Sequence, residues 1–180
     1  MHIGIYGGAF DPPHLAHAEL AEVAIRQFGL DQLLIIPTGD AVHKRRALTA
    51  SHHRLAMTRL AFAELPQAVV DPREINRGGA SYTIDTLAEL KAKHPGAQFT
   101  LIIGQDQLTA FHTWKDYRAV LSQAKLAVAL AEGMLESPVL IGVQGYRMRL
   151  STRSVKPWST PSSRSKSCKC KRMAKSSRRF

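Results

Sequence analysis

A short apolar run, His2-Ile3-Gly4-Ile5-Tyr6, passes through Gly7 and Gly8 into an alanine- and leucine-rich stretch from Leu15 to Phe28. The run reads as a buried strand and the stretch as a helix. This order of strand, tight turn and helix recurs along the chain. Leu33-Leu34-Ile35-Ile36 is a continuous apolar run ended by Pro37, and Ala68-Val69-Val70-Asp71 is a shorter one. Phe99-Thr100-Leu101-Ile102-Ile103 and Lys125-Leu126-Ala127-Val128-Ala129-Leu130 follow, and Val139-Leu140-Ile141 can add a further strand. Strands that alternate with helices pair as parallel neighbours, because a parallel return needs a crossover. The fold class expected is α/β, a doubly wound and mostly parallel sheet.

Punctuation between the strands supports that reading. Gly29 after Phe28 suits a helix C-cap. Ser51 or Thr49 can cap a second helix whose Leu55, Leu60 and Leu65 supply apolar contacts before Pro66. Arg77-Gly78-Gly79-Ala80 reads as a glycine-rich loop, and Ser81 as the cap of a third helix. In that helix Ile84, Leu87 and Leu90 recur every three residues and Asp85 complements the dipole. His94-Pro95-Gly96 ends it.

The net charge of +11 points to a nucleic-acid binder only if it is spread over the chain. It is not. Residues 1–146 hold 13 Lys and Arg against 14 Asp and Glu, and residues 147–180 hold 12 basic residues and no acidic one. The expected organisation is therefore a near-neutral domain over 1–146 and a Ser-, Lys- and Arg-rich tail over 147–180. The tail has no periodic apolar pattern and reads as disordered. Both cysteines, Cys168 and Cys170, lie in it, which leaves the domain without a disulfide framework. No signal peptide and no apolar run of membrane-spanning length is present, so the expectation is a cytoplasmic protein with no membrane partner and no specific nucleic acid.

The chemistry concentrates in Gly7-Gly8-Ala9-Phe10-Asp11-Pro12-Pro13-His14-Leu15-Ala16-His17. Two glycines allow a tight turn and a close approach of backbone to ligand. Pro12 and Pro13 stiffen the approach to the helix. A helix start offers free N–H groups and the positive end of the dipole to an anion. His14 and His17, three apart, share one face if both are helical. Such a pair alone fits a surface pair or half of a metal site equally well. After a glycine turn, two imidazoles suit a phosphate chain that gains charge during a reaction. The polar loop from Thr38 to Ala50 carries His43, Lys44, Arg45 and Arg46 just past a strand end. It fits either a solvated loop or a phosphate contact, since open α/β sheets bind ligands at that edge.

The string from Gly8 to His17 resembles the motif of the nucleotidyltransferase superfamily, Gly-x-Phe-Asp-Pro followed by His-x-Gly-His, with Ala16 in place of the glycine. Three later strings resemble the bacterial nicotinate mononucleotide adenylyltransferases. They are Gly78-Gly79-Ala80-Ser81-Tyr82-Thr83-Ile84-Asp85-Thr86-Leu87, Ile102-Ile103-Gly104-Gln105-Asp106 with Phe111-His112-Thr113-Trp114, and Ile35-Ile36-Pro37 with His43-Lys44. The resemblance covers roughly residues 1–131 and implies a Rossmann-like fold. The activity it implies is adenylyl transfer from ATP to nicotinate mononucleotide, giving deamido-NAD and pyrophosphate, with Mg2+ accompanying ATP. By resemblance His14 and His17 are catalytic, and Gly7, Gly8, Ala9, Phe10, His43, Lys44, Gly104 and Asp106 complete the ATP and phosphate site. Tyr82 and Thr83 contact the nicotinate carboxylate largely through backbone amides, and Trp114 stacks on the pyridine ring. No residue is implied as a protein-held metal ligand, and the oligomeric state is not implied.

The ending departs from the family's Ile-Ser-Ser/Ala-Thr-x-x-Arg segment. In Leu150-Ser151-Thr152-Arg153 the arginine follows the threonine directly. Loss of acidic residues and of periodicity here resembles a chain read in another frame or a replaced C-terminus. A second reading, from a different class, is a non-catalytic nucleotide-binding remnant that binds polyanions through its tail.

Overall fold

The structure, a computed structural model, describes residues 1–39, 48–130 and 139–143, the last five through their backbone. All lie in the unit Met1–Tyr146. The expected strand runs and helices appear in their expected order, as β1 (His2–Gly8), α1 (Leu15–Phe28), β2 (Gln32–Pro37), α2 (Ser51–Ala61) and β3 (Ala68–Val70). Next come α3 (Arg73–Arg77), α4 (Thr83–Lys93), β4 (Gln98–Gly104), α5 (Gln105–Ala110), α6 (Tyr117–Gln123), β5 (Lys125–Leu130) and β6 (Val139–Val143). The basic tail and its Leu150–Arg153 string fall outside the described residues.

The sheet order is β3-β2-β1-β4-β5-β6. The pairs from β3 to β5 are parallel, with Tyr6 opposite both Ile35 and Ile102, and β6 closes the edge antiparallel to β5. This is an α/β, Rossmann-like, doubly wound and mostly parallel sheet. Continuous apolar strands follow from burial on both faces. Side chains alternate between the faces along each strand. On one face Tyr6, Leu33, Ile35, Ile102 and Ala127 pack with Leu20, Ala21 and Ala24 of α1 and with Phe62. The alternate positions Ile3, Ile5, Leu34, Ile36, Leu101, Ile103, Leu126 and Val128 are equally buried on the other.

Helix α1 ends where expected, with Gly29 in the left-handed conformation (φ 56°) returning its N–H to the Ile25 carbonyl. Three local expectations fail. Helix α2 starts after Ala50, and neither Thr49 nor Ser51 provides a side-chain cap. Its inward stripe is Arg54, Thr58 and Phe62, while Leu60 is 78% exposed. Of the leucines expected to supply apolar contacts, Leu65, beyond the end of α2, packs against the core, whereas Leu60 does not: five steps of 100° do not return to one helix face, and four nearly do. Helix α4 starts after Tyr82 rather than Ser81, with no side-chain cap.

Candidate active site

Strand order reverses between β1 and β4, the switch point where open α/β sheets bind ligands beyond the strands' carboxyl ends. Gly7 and Gly8 end β1, and Gly104 ends β4 and precedes the first turn of α5. Helix α4 leads back into β4, so its N-terminus, with Tyr82 and Thr83, lies at the same carboxyl edge. The predicted nucleotide residues of the described part therefore converge on one edge from four separate elements.

The turn after β1 is built around Phe10. Its backbone is left-handed (φ 46°) and its side chain is 2% exposed. The ring stands edge-on to Tyr6 at 5.6 Å and to Phe62 at 5.7 Å. A Cβ on Gly8 would come within 3.0 Å of that ring, so glycine there lets the phenyl fold back over the turn. A Cβ on Gly7 would meet nothing closer than the Ile36 carbonyl at 4.0 Å, and Gly7 is exposed.

His14 is the N-cap of α1, in extended conformation, and His17 stands in the first turn. The His17 ring is held edge-on by Phe10 at 5.2 Å and against Tyr6 at 6.2 Å. The two imidazoles lie 3.7 Å apart between centroids. The His14 main-chain N–H donates to Nδ1 of His17 at 3.1 Å, and the His17 N–H donates to the His14 carbonyl at 2.9 Å. A neutral imidazole that accepts at Nδ1 carries its hydrogen on Nε2. The capping bond thus assigns the tautomer, with the hydrogen on Nε2.

Asp106 is exposed in the first turn of α5. Burial pushes the Tyr6 hydroxyl far above its ordinary pKa, and the negative Asp106 carboxylate pushes the same way. Tyr6 is therefore a neutral hydroxyl under the turn. Trp114 follows a 3-10 turn, Phe111–Thr113, and packs half-buried on Phe111 at 5.0 Å. Lys115 ties this segment to α4, with its ammonium 4.5 Å from the Tyr82 ring centroid and 3.4 Å from both Asp85 oxygens. His43 and Lys44 fall outside the described residues.

Two polar residues passed over in the sequence stand out in the structure. Arg54 is 2% exposed on α2 and donates to three main-chain carbonyls around the site. The only sequence signal for it is its register, four before Thr58 and eight before Phe62. Glu74 on α3 is also buried. It accepts from Thr38, just beyond β2, at 3.2 Å and from Thr86 of α4 at 2.8 Å. Arg77 donates to the same Thr86 hydroxyl at 2.9 Å and pairs with Glu89 at 2.9 Å. Burial raises the Glu74 pKa, opposed by the hydrogen bonds from Thr86 and Thr38 and by the Arg77 charge. Helix α3 itself has no periodic signal in five residues. Among the described residues, no group of three or more His, Cys, Asp or Glu is placed to hold a metal ion. No helix among them is long and apolar enough to cross a membrane.

Comparison with known proteins agrees with the geometry. The model of the cytidylyltransferase-like family matches residues 5–163. A protein of Albidiferax ferrireducens named probable nicotinate-nucleotide adenylyltransferase is 55% identical over 127 residues, which is 71% of this chain and 64% of the relative. One of the same name from Gemmatimonas aurantiaca is 38% identical over 165 residues, 89% of this chain and 78% of the relative. The chain thus spans somewhat under two thirds of the length of the first of these. The solved nicotinic acid mononucleotide adenylyltransferase of Plasmodium falciparum complexed with APC shares the fold, with a TM-score of 0.62 at 21% identity over 75% of this chain and 66% of that one. A strand order that reverses beside a glycine turn and a coupled histidine pair, matched by the family model over most of its length, makes this chain a member of the cytidylyltransferase-like family.

Proposed function

We propose that the chain transfers the adenylyl group of ATP to nicotinate mononucleotide, yielding deamido-NAD and pyrophosphate. The observation that carries the proposal is the His14–His17 pair, locked by its own hydrogen bond at a helix start beside the β1/β4 switch point. The shared name of the relatives supports the choice of substrates.

In the reaction a phosphate oxygen of nicotinate mononucleotide attacks the α-phosphorus of ATP. The new P–O bond forms as the bond to the β-phosphate oxygen breaks, and pyrophosphate leaves with the electron pair. No protein nucleophile is needed. The protein positions the two phosphates and stabilises the charge that moves on to the leaving group. The amides of the turn through Gly7, Gly8, Ala9 and Phe10, together with the α1 start, face an anionic chain. His17 Nε2–H donates to the oxygens around the α-phosphorus, and His14 lies beside it. His43 and Lys44 hold the outer phosphates. Tyr82 and Thr83, at the start of α4, present main-chain N–H groups to the pyridine carboxylate. Trp114 stacks on the ring.

Mg2+ fits this donor set as an ion carried in on the triphosphate. It keeps most of its waters and commonly takes one or two carboxylates, and Asp106 offers one exposed carboxylate at the ligand edge. When bound it neutralises phosphate charge.

The test is direct. The purified chain is incubated with ATP, Mg2+ and nicotinate mononucleotide, and deamido-NAD and pyrophosphate are quantified. Equimolar formation of both is expected. Binding of ATP without turnover would replace this reading with that of a non-catalytic nucleotide binder.

A further inference from the structure

The Lys115 ammonium bridges two segments 30 residues apart in the chain. On its own side it follows Trp114, whose backbone is extended at the end of the 3-10 turn and whose ring packs at 5.0 Å on the fully buried Phe111. The Trp114 carbonyl accepts from the Tyr117 N–H at 3.2 Å, and the intervening Asp116 is left-handed (φ 50°). The lysine stem therefore starts from a hydrogen-bonded turn. On the far side its ammonium lies 4.5 Å from the Tyr82 ring centroid and 3.4 Å from each Asp85 oxygen. Asp85 stands in the first turn of α4, two residues past Thr83.

As a tie between the segments this pair contributes little. Both side chains are nearly half-exposed, at 46% and 43%, and water screens their attraction. Its sign of charge matters more. A helix start favours an anion, but Asp85 already supplies one at α4, and a second carboxylate arriving beside it would be repelled. A cation shared between both Asp85 oxygens offsets that repulsion. The face of the Tyr82 ring attracts the same cation and helps keep it at the helix start.

We propose that Lys115 is a specificity-determining residue, which sets the preference for an anionic pyridine substituent. It neutralises Asp85 at the start of α4, so that the N–H groups there receive the carboxylate of nicotinate mononucleotide without a competing negative charge. The inference rests on the position given to that carboxylate under Proposed function. It adds that the selectivity is electrostatic and is controlled by a side chain from the Trp114 segment. Lys115 acts through Asp85 and is not a catalytic residue.

The experiment titrates the full chain by calorimetry with nicotinate mononucleotide and, separately, with nicotinamide mononucleotide. The two ligands differ only in the pyridine substituent, a carboxylate or a neutral amide, so the ratio of their Kd values isolates that charge. Lys115→Met keeps a long stem over Tyr82 and deletes the cation. It should lower the preference for the nicotinate form roughly three- to tenfold, the worth of one partly screened charge at several ångströms. Asp85→Asn should shift the ratio the opposite way, and the double variant should return it to within about twofold of the parent. A lysine that only ties the segments together would weaken both mononucleotides equally, with no recovery in the double variant. That result overturns the proposal, as does an unchanged ratio in Lys115→Met. Should Lys115→Met give no cooperative melt, the direction of the shift in Asp85→Asn decides. A parent chain that binds neither mononucleotide, or both equally, removes the carboxylate from the α4 start and the proposal with it. A parental preference that persists in Lys115→Met leaves the substrate reading standing and removes Lys115 alone.

Discussion

The His14 main chain donates to Nδ1 of His17 at 3.1 Å, while the His17 main chain donates back to the His14 carbonyl at 2.9 Å. A pair spaced to share a helix face is thus more than two neighbouring side chains. The helix start itself selects the His17 tautomer, with the hydrogen on Nε2. Phe10 and Tyr6 then hold the ring from two sides.

Removing that donor should impair chemistry more than binding. His17→Ala is expected to lower kcat by a factor on the order of hundreds, the scale seen when a donor to developing charge is lost. His17→Gln can place an amide N–H near the Nε2 position and should retain more turnover than alanine. Equal kcat in the parent and His17→Ala would remove the histidine from the mechanism.

Thr83 is the first residue of α4, after Tyr82 in extended conformation. Proline is tolerated at that helical position and after an extended residue, and it deletes only the N–H. Thr83→Pro should therefore leave the melting temperature close to the parental one. It should also reduce the preference for nicotinate over nicotinamide mononucleotide in kcat/KM by roughly ten- to hundredfold, the worth of one charge-assisted hydrogen bond. An unchanged ratio in a folded variant would show that the carboxylate is recognised elsewhere.

Glu74 predicts the pH dependence of stability. Its folded pKa is raised above the ordinary 4.5, so the folded state binds the proton more tightly than the unfolded chain. Its stabilising contribution is complete below the ordinary value and is lost as pH rises through the raised one. Glu74→Gln removes the titration and keeps an acceptor and a donor. Denaturant unfolding should show the parent losing stability relative to Glu74→Gln as pH climbs above the ordinary carboxyl value. Two parallel curves over that window would mean that Thr38, Thr86 and Arg77 compensate the burial fully.

The glycines of the two ligand-edge loops should respond differently to alanine. At Gly39 a Cβ would lie 2.5 Å from the Glu74 carbonyl and 2.9 Å from the Ser81 hydroxyl, so Gly39→Ala should destabilise by about 1–3 kcal/mol. At Gly7 there is room, and Gly7→Ala should melt close to the parent yet raise the KM for ATP, because Gly7 is exposed at the turn proposed to hold the phosphates. Thermal melts and ATP kinetics on the two variants check both halves.

The charge of residues 147–180 makes a separate prediction. Twelve basic residues without an acidic one should give weak binding to any polyanion, falling steeply with salt as counterion release requires. Binding of heparin and of unrelated DNA, measured at rising salt with and without these residues, should show the same loss. Sequence-selective binding that persists at physiological salt would contradict it.

Much of the architecture was set by patterns that act locally. Leu33–Ile36 is apolar at every position and Phe99–Ile103 at all but Thr100, because both faces of a parallel sheet are covered, and burial of that kind is visible in one dimension. Gly29 marks the end of α1 because only a residue without Cβ enters the left-handed region easily. The Gly7–Gly8 turn and the histidine spacing were legible for the same reason, since the turn and the helix start are each made by neighbours in the chain. Tertiary structure decided what depends on partners far apart in sequence. Leu60 read as supplying an apolar contact from α2, yet the stripe through Arg54 faces inward because three carbonyls from residues 9, 39 and 49 meet it there. Glu74 is an ordinary surface-type residue until Thr38 and Thr86, 36 and 12 positions away, enclose it. A buried charge is stable only where distant backbone and hydroxyl groups converge, and that convergence is a property of the folded chain alone.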